Sequence, residues 1–295
     1  MVFMTVRSGC LLLLSILTSS FSWAETVKLS LHSDLHQEHV PKDKKELVTV
    51  PGADIIILAG DIDEGTDSIE YAESVAVKNN AKVILIAGNH EFYDHDLYAL
   101  QHQLNDAANQ MSNVFFLERN QLNLDGVRFL GCTLWSSFDL FEEDQPESTT
   151  HYQQRAEEAV YDFYKIAVGN RLIRATDQIK ENNACRQWLE EQLSIPYSGP
   201  TVVITHFAPV PECIDSKWAG SELSPYFINR LNDMIWKWQP DFWFYGHTHS
   251  NINRTLGKTR IMTNQKGHDK HTPPDYQPEL IIPIEVSPTS LHQEG

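Results

Sequence analysis

Short apolar runs alternate with amphipathic segments along most of the chain. The first three runs are VKLSLHS, DIIILAG and VILIAGN, and each ends in glycine or a polar residue. The amphipathic stretch TDSIEYAESVAVKNN lies between the second and third runs, where its spacing predicts a crossover helix. Nearly continuous apolar strands are typical of a sheet that is covered on both faces. The pattern therefore predicts an α/β fold.

A second group of strands is predicted further along the chain. NVFFLE is followed by LNLDGVRFLGCTLW, in which Asp125-Gly126 predicts a hairpin turn. Strands return at TVVITHF, DFWFYGH, INRTLG and TRIMTN, and a helix is predicted from about Pro225 to Trp238. No internal repeat and no linker rich in proline or glycine interrupts the pattern. We therefore expect one α/β domain over residues 25–270.

Residues 136–200 differ from this alternation because they contain no strand-like run. They predict an inserted helical segment, with helical patterns near Tyr152–Val168 and Ala175–Leu193. Residues 271–295 include TPPDYQP and IIPIEVSP, and this proline punctuation predicts an extended or loosely packed C-terminal tail.

The N-terminal 24 residues have the layout of a secretory signal peptide. Arg7 is their only charge, CLLLLSIL is a short apolar run, and SSFSWA places small residues before a cut after Ala24. The run is too short for a stable membrane anchor. We therefore expect a periplasmic or secreted protein. If the N-terminus is instead an over-extended start, the protein would be cytoplasmic.

Three cysteines, Cys132, Cys185 and Cys213, follow the predicted signal peptide. Their odd number and the lack of CxxC spacing argue against a disulfide framework and against a thiolate metal site, although one pair could bridge in an oxidising compartment. Cys132 lies in a strand-like run, where a small buried side chain is expected.

The net charge of −17 narrows the possible partners. An acidic surface repels the phosphate backbone, so no nucleic-acid-binding surface is expected. An anionic substrate stays possible, because bound divalent cations can reverse the local sign of the charge. The apolar fraction of 41% is ample for a buried core.

Residues that ligate metals follow five of the predicted strands, at the ends where ligands collect in α/β sheets. A single His or Asp at such a position is usually a turn former, but five ordered coincidences are not explained in that way. The candidates at these ends are Asp34, His36, Asp61, Asn89, His206, His247 and His249, and His90 and Glu91 directly follow Asn89. Oxygen and nitrogen ligands suit Mn²⁺, with Fe, Zn²⁺, Ni²⁺ or Co²⁺ as alternatives. Seven ligands are too many for one ion and suit two divalent ions that share a carboxylate.

The ordered motifs DLH, GD, GNHE, a strand-terminal His and GHTH resemble the calcineurin-like metallophosphoesterase superfamily. Further stretches, including LWSSFDLF and VVITHFAPVPECIDSKWAG, are similar to a bacterial metallophosphoesterase branch, and the resemblance extends from Val27 to about His268. It implies a four-layer αββα sandwich of two mixed β-sheets flanked by helices. It also implies hydrolysis of a small phosphomonoester or phosphodiester substrate through a metal-bridging hydroxide.

The same resemblance implies roles for individual residues. Asp61 matches the bridging carboxylate, and His90 matches a histidine that does not bind metal but assists the leaving group. Asp63 and Glu64 could orient His90, although a solvated turn is the simpler interpretation. His32 and His39 are expected outside the metal set as strand-face or loop residues, and Glu38 is expected at the rim or behind the ligands.

Some features depart from known branches of the superfamily. Glu64 replaces the tyrosine of purple acid phosphatases, and GDIDEG replaces the protein-phosphatase string GDxVDRG. The segment Asn264–His268 also differs from the loop of the related branch. The rival hypothesis is a non-catalytic protein-binding scaffold of the same fold, and the complete set of motif residues argues against it.

Overall fold

The computed structural model describes residues 25–141, 149–268 and 272–287. The predicted signal peptide lies outside these residues. Strands and helices are numbered along the chain. The first sheet contains β1 Glu25–His32, β2 Ile55–Ala59, β3 Lys82–Ile86, β4 Val114–Phe116 and β13 Ile282–Val286. Its order is β13-β1-β2-β3-β4, with β13 antiparallel to β1 and all other neighbours parallel.

The second sheet has six strands, in the order β11-β12-β10-β9-β6-β5. They are β5 Asn120–Leu124, β6 Val127–Cys132, β9 Thr201–Thr205, β10 Phe242–Phe244, β11 Asn253–Leu256 and β12 Thr259–Met262. The pairs β5–β6 and β11–β12 are antiparallel, and the central pairs are parallel. The predicted turn at Asp125-Gly126 is confirmed, since both residues have positive φ and join β5 to β6.

The described helices are α1 Asp67–Asn79, α2 Leu97–Ala108, α3 Thr149–Ala159, α4 Asp162–Lys165, α5 Ala175–Leu193, α6 Ser224–Phe227 and α7 Asn232–Trp238. None of them is both long enough and apolar enough to cross a membrane. A crossover helix between the second and third strands was predicted, and α1 confirms it. The sequence pattern did not single out α2.

Alternating residues of β2 show why the fold has four layers. Ile55 and Ile57 pack in the apolar layer between the two sheets, while Ile56 and Leu58 pack in the layer that contains the helices. All four side chains are fully buried. A strand that is buried on both faces needs apolar residues at every position, which explains the continuous run in the sequence. The predicted αββα sandwich with two mixed sheets is confirmed.

The predicted helical insertion at residues 136–200 and the helix predicted from Pro225 both differ from the structure. The helical pattern near residues 152–168 divides into α3 and α4, and the expectation of no strand there is wrong, because Ala167–Val168 (β7) and Arg171–Leu172 (β8) form a short hairpin. Gly169 closes this hairpin with φ 63°. The helix predicted from Pro225 also divides, because the amides of Asn229 and Leu231 donate to the carbonyls of Ala208 and Pro209.

The C-terminal segment is not only a loose tail. Ile282–Val286 forms β13 and pairs with β1 at the edge of the first sheet. Prolines are tolerated on an edge strand because one side of it needs no hydrogen-bonded partner. Cys132 is fully buried, as predicted, and it forms a disulfide with Cys185 that links β6 to α5, which is the single bridge that the sequence left open.

Candidate metal centre

The structure brings all seven predicted ligands together at the carboxyl ends of the strands. The ends of β1, β2 and β3 supply one part of the set from the first sheet, namely Asp34, His36, Asp61 and Asn89. The ends of β9 and β10 supply the rest from the second sheet, namely His206, His247 and His249. All are buried except His249, which is partly exposed. The site therefore spans the junction of the two sheets.

The ligand atoms form two groups that share Asp61. In the first group, Nε2 of His249 lies 3.1 Å from Nε2 of His36 and 3.2 Å from Oδ1 of Asp34. Oδ2 of Asp61 is 3.9 Å from His36 Nε2. In the second group, Nε2 of His206 lies 3.3 Å from the same Asp61 oxygen. A carboxylate between two clusters is the arrangement that a shared ligand requires.

The second group also contains Asn89 and His247. Oδ1 of Asn89 lies 3.2 Å from His206 Nε2. One ligand atom from each of Asp61, His206 and His247 falls within 4.8 Å of the others. Nε2 of His247 is buried and has no hydrogen-bond partner in the described part of the chain. A buried nitrogen without a partner is costly, and a metal ion would satisfy it.

Backbone conformation aims these side chains. Five of the seven ligands have φ between 46° and 71°, a region that non-glycine residues seldom adopt. They are Asp34, His36, Asp61, His247 and His249. Such conformations cost roughly 1–3 kcal/mol each and persist only where the surrounding structure enforces them. Their concentration at the strand ends indicates that the loops are shaped for a site rather than for stability.

Two glycines leave the space that the carboxylates occupy. A Cβ atom on Gly88 would lie 2.1 Å from Oδ1 of Asp61, and one on Gly246 would lie 2.7 Å from Oδ2 of Asp34. Both distances are too short for nonbonded atoms, so larger residues at these positions would displace the ligands. The oxygen and nitrogen donors, the unpaired His247 nitrogen and this close packing together fit divalent cations.

Hydrogen bonds fix the orientation of several ligands. Nδ1 of His206 donates to the carbonyl of Ala59 at 2.9 Å, which leaves its Nε2 free to bind a metal. The backbone amide of His247 donates to Asp34, and that of His90 donates to Oδ1 of Asp61. Burial favours protonation of Asp61, but the positive charges of His206 and His90 hold its pKa well below the ordinary value. The Asp61 carboxylate is therefore ionised.

His90 lies beside the predicted ligands. Together with Asp61, Asn89 and His247 it lines one cavity. Its Nδ1 is 2.9 Å from Oε1 of Glu38, and its ring stacks on Tyr93 with centroids 4.2 Å apart. Burial alone would lower the pKa of His90, but the charge of Asp61 and the hydrogen bond to Glu38 raise it to about 9. His90 is therefore protonated at neutral pH and can act as an acid.

Glu38 lies behind His36, which is one of its two predicted positions, and it also contacts His90. Its side chain is only 5% exposed, and Oε1 contacts Nδ1 of both His36 and His90 at 2.9 Å. Burial raises the pKa of Glu38, but these two contacts outweigh it and lower the pKa to about 2. The idea that Asp63 orients His90 is wrong, because Asp63 pairs with Lys45 instead. The sequence feature that could have indicated the Glu38 contacts is its position two residues after His36, in HQE. A short 3-10 helix at Gln37–His39 folds the Glu38 side chain back over His36.

Asp162 was missed by the sequence analysis. It is fully buried in α4, and its Oδ1 accepts a hydrogen bond of 2.9 Å from Nδ2 of Asn89. Tyr93, Tyr226 and Gln178 donate to the same carboxylate. This contact turns Oδ1 of Asn89 toward His206. No local motif marks an aspartate that lies 73 residues from its partner.

His32 lies apart from the seven residues, whereas His39 lies near His36, Glu38 and His90, with one ligand atom from each within 4.8 Å of the others. His32 is buried at the end of β1, where it contacts Ser30 and Tyr276. The side chain of His39 is largely exposed, with Nε2 3.6 Å from Glu38. His268 was given no role, yet its ring centroid lies 4.2 Å from that of His36 and 4.8 Å from that of His249.

Residues 31–251 match the family described as calcineurin-like phosphoesterase. The chain belongs to that family. An uncharacterized protein of Acanthamoeba polyphaga mimivirus is 26% identical over 219 residues, which cover 69% of this chain and 74% of that protein. A UPF0046 protein of Caenorhabditis elegans is 32% identical over 95 residues, covering 28% of this chain and 33% of that one.

Among solved structures, phosphopantetheinyl hydrolase from Mycobacterium tuberculosis superimposes with a TM-score of 0.63 at 19% identity. The match covers 88% of this chain and 96% of the hydrolase. At this identity the likeness shows the fold alone. The family, the fold and the cluster of His and Asp side chains support a metal-dependent phosphoester hydrolase.

Proposed function

We propose that the protein hydrolyses a small phosphomonoester or phosphodiester at a centre of two divalent metal ions. The observation that carries the proposal is that seven side chains with oxygen or nitrogen donors gather in two groups that share Asp61, whose Oδ2 lies 3.9 Å from Nε2 of His36 in one group and 3.3 Å from Nε2 of His206 in the other. The presence of every ligand disfavours the scaffold alternative, since a binding role alone would not require two strained and complete ligand groups.

The proposed ligands fall into two sets, and Asp61 belongs to both. Asp34, His36 and His249 would complete the first set, and Asn89, His206 and His247 would complete the second. We propose Mn²⁺ as the metal because the donors are carboxylate, amide and imidazole groups without thiolate. When bound, the two ions would polarise the phosphoryl group and activate the attacking water.

The residues around the ligands would handle the proton and the leaving group. As water attacks phosphorus, the bond from phosphorus to the leaving oxygen breaks, and protonated His90 would donate to that oxygen. Because Nδ1 of His90 is held by Glu38, Nε2 is the nitrogen available to donate. Glu38 would thus keep His90 protonated and correctly turned, while its contact to His36 fixes a ligand.

The decisive experiment measures hydrolysis of nitrophenyl phosphate and bis-nitrophenyl phosphate. Removal of metal should abolish activity, and added Mn²⁺ should restore it. Asp61→Asn should lower kcat by at least about a hundredfold while circular dichroism shows a folded protein. Asp94→Asn, at an exposed aspartate, is the matched control. Unchanged hydrolysis by the Asp61 variant would refute the proposed function.

We also propose export from the cytoplasm, which the disulfide between Cys132 and Cys185 supports, because such bonds persist in oxidising compartments. Thiol titration of the denatured mature protein should find one free thiol, that of Cys213. Finding three free thiols in protein isolated from its native compartment would argue against export.

A further inference from the structure

A cleft with a volume of about 630 Å³ opens from the metal centre. One wall is the end of α3 with Ala159, Val160 and Tyr161, and the other is the segment from Cys213 to Ile228. Its floor includes Asp61, Asn89, His90 and His247. A cavity of this size accommodates an organic group considerably larger than phosphate.

Both walls are mainly apolar and aromatic. Phe227 continues the wall to the metal centre, because its ring centroid lies 4.9 Å from that of His247. At the mouth, Tyr161 is 72% exposed and Trp218 is 55% exposed, on opposite walls. Exposed aromatic side chains that continue an apolar cavity are characteristic of binding surfaces.

The cleft offers little positive charge. Among the described residues that line it, Lys217 is the only lysine or arginine. Its Nζ forms an ion pair of 3.1 Å with Asp215 and lies 5.9 Å from the ring centroid of Trp218. Asp215 also accepts a hydrogen bond from Ser250. Apart from His90, which the proposed function assigns to the leaving oxygen, a second phosphate or a carboxylate on the substrate would therefore lack a free cationic partner among these residues.

We propose that the substrate is the phosphate ester of an apolar or aromatic alcohol, and that this alcohol occupies the cleft between Tyr161 and Trp218. The inference rests on the proposed function, because the ester oxygen must lie beside His90 at the metal centre. The organic group then extends outward along Phe227 and Trp218. Burial of each methylene group should tighten binding about fourfold.

Binding can be measured without turnover by using n-alkylphosphonates, whose carbon–phosphorus bond is not hydrolysed. Titration calorimetry of the Mn²⁺-loaded protein would compare methyl-, butyl- and octylphosphonate with ribose 5-phosphate. We expect affinity to rise at least about thirtyfold from methyl to octyl, and octylphosphonate to bind more tightly than the sugar phosphate.

Two tryptophan variants provide the matched comparison. Trp218→Ser should reduce the gain from methyl to octyl at least about fivefold and leave methylphosphonate affinity unchanged. Trp236→Ser should alter neither value, because Trp236 is similarly exposed, at 53%, but lies on α7 and does not line the cleft. Equal effects of the two variants would overturn the proposal, since they would indicate nonspecific adsorption.

The remaining outcomes separate this inference from the proposed function. If methylphosphonate binds and nitrophenyl esters are hydrolysed, but affinity is independent of chain length or ribose 5-phosphate binds best, the substrate class is wrong and the hydrolase stands. If no phosphonate binds and no ester is hydrolysed at any Mn²⁺ concentration, the proposed function fails, and the inference fails with it.

Discussion

At the residue scale, the effect of Glu38 on the pKa of His90 can be measured directly, from the pH dependence of activity. Glu38→Gln keeps the shape but removes the negative charge beside His90, so the pKa of His90 should fall from about 9. In the proposed mechanism His90 must be protonated to assist the leaving group, so activity should be lost as pH rises through that pKa. We expect the alkaline limb of the kcat profile to move to lower pH, with kcat reduced about 10- to 100-fold.

The matched control for this prediction is Glu73→Gln, because Glu73 is a glutamate at an exposed position of α1. A merely structural role for Glu38 would lower kcat equally at every pH. An unshifted alkaline limb would therefore contradict the positioning role.

A second prediction at the residue scale concerns the effect of His32 on the stability of the protein. Its burial lowers its pKa from 6.5 to about 3, so below pH 6.5 the unfolded chain binds a proton that the folded protein does not. The free energy of unfolding should therefore fall as pH drops from 6.5 toward 3, by about 1.4 kcal/mol per pH unit. Urea unfolding of metal-free protein at pH 7.5 and 5.0 measures this loss.

His32→Gln should remove that part of the pH dependence, whereas His102→Gln, at an exposed position of α2, should not. Equal pH dependence in the His32 variant and the unmodified protein would show that His32 does not cause the loss.

At the scale of elements, local patterns predicted the strands well and long-range pairings poorly. The apolar runs of β2 and β3 are sufficient to specify buried strands. By contrast, β13 is stabilised by pairing with β1 at the other end of the chain. Pro283 within it weakens the strand signal in the sequence. The break between α6 and α7 has a similar cause, since amides there bond to the segment after β9. Neither contact leaves a periodic signal.

The prediction at this scale concerns α4, in which Asp162 connects the helical insertion to Asn89, a proposed metal ligand. Asp162→Asn would introduce an amide among donors from Asn89, Tyr93, Tyr226 and Gln178. One acceptor oxygen would then remain for these four donors, so the hold on Asn89 that turns its oxygen toward His206 should weaken. Mn²⁺ titration should show affinity about tenfold or more weaker at one of two sites.

Asp94→Asn is the control for this variant, because the side chain of Asp94 contacts the same helix through an exposed ion pair with Lys165, and the substitution leaves its backbone hydrogen bond to Lys165 in place. Equal loss of affinity in the two variants, or a loss at both sites, would contradict a specific link from Asp162 to Asn89.

For the whole molecule, the convergence of the site could be predicted because parallel strands present their carboxyl ends at one edge of a sheet. The sequence therefore indicated all seven residues that meet around Asp61. It could not show that Glu38 joins His36 to His90, because that contact depends on left-handed backbone at His36 followed by a 3-10 turn. Nor could it show that the first sheet and the second each supply part of one centre.

This division of ligands between the sheets leads to a prediction about the whole fold. Bound metal would connect the ends of β1, β2 and β3 to the ends of β9 and β10, so it should stabilise the native state against separation of the sheets. At a free Mn²⁺ concentration about 100-fold above Kd, linkage gives roughly 2.7 kcal/mol per site. Chelation should therefore lower the Tm and increase amide hydrogen exchange at the strand ends of both sheets.

Replacement of one ligand identifies the source of that stabilisation. His247→Asn should remove most of the rise in Tm on Mn²⁺ addition, because its unpaired nitrogen is a proposed ligand from the second sheet. His39→Asn, at an exposed histidine, should keep the full rise. If Mn²⁺ protects only the strand ends of the first sheet from exchange, the ions do not join the sheets, and the ligands from β9 and β10 must have another role.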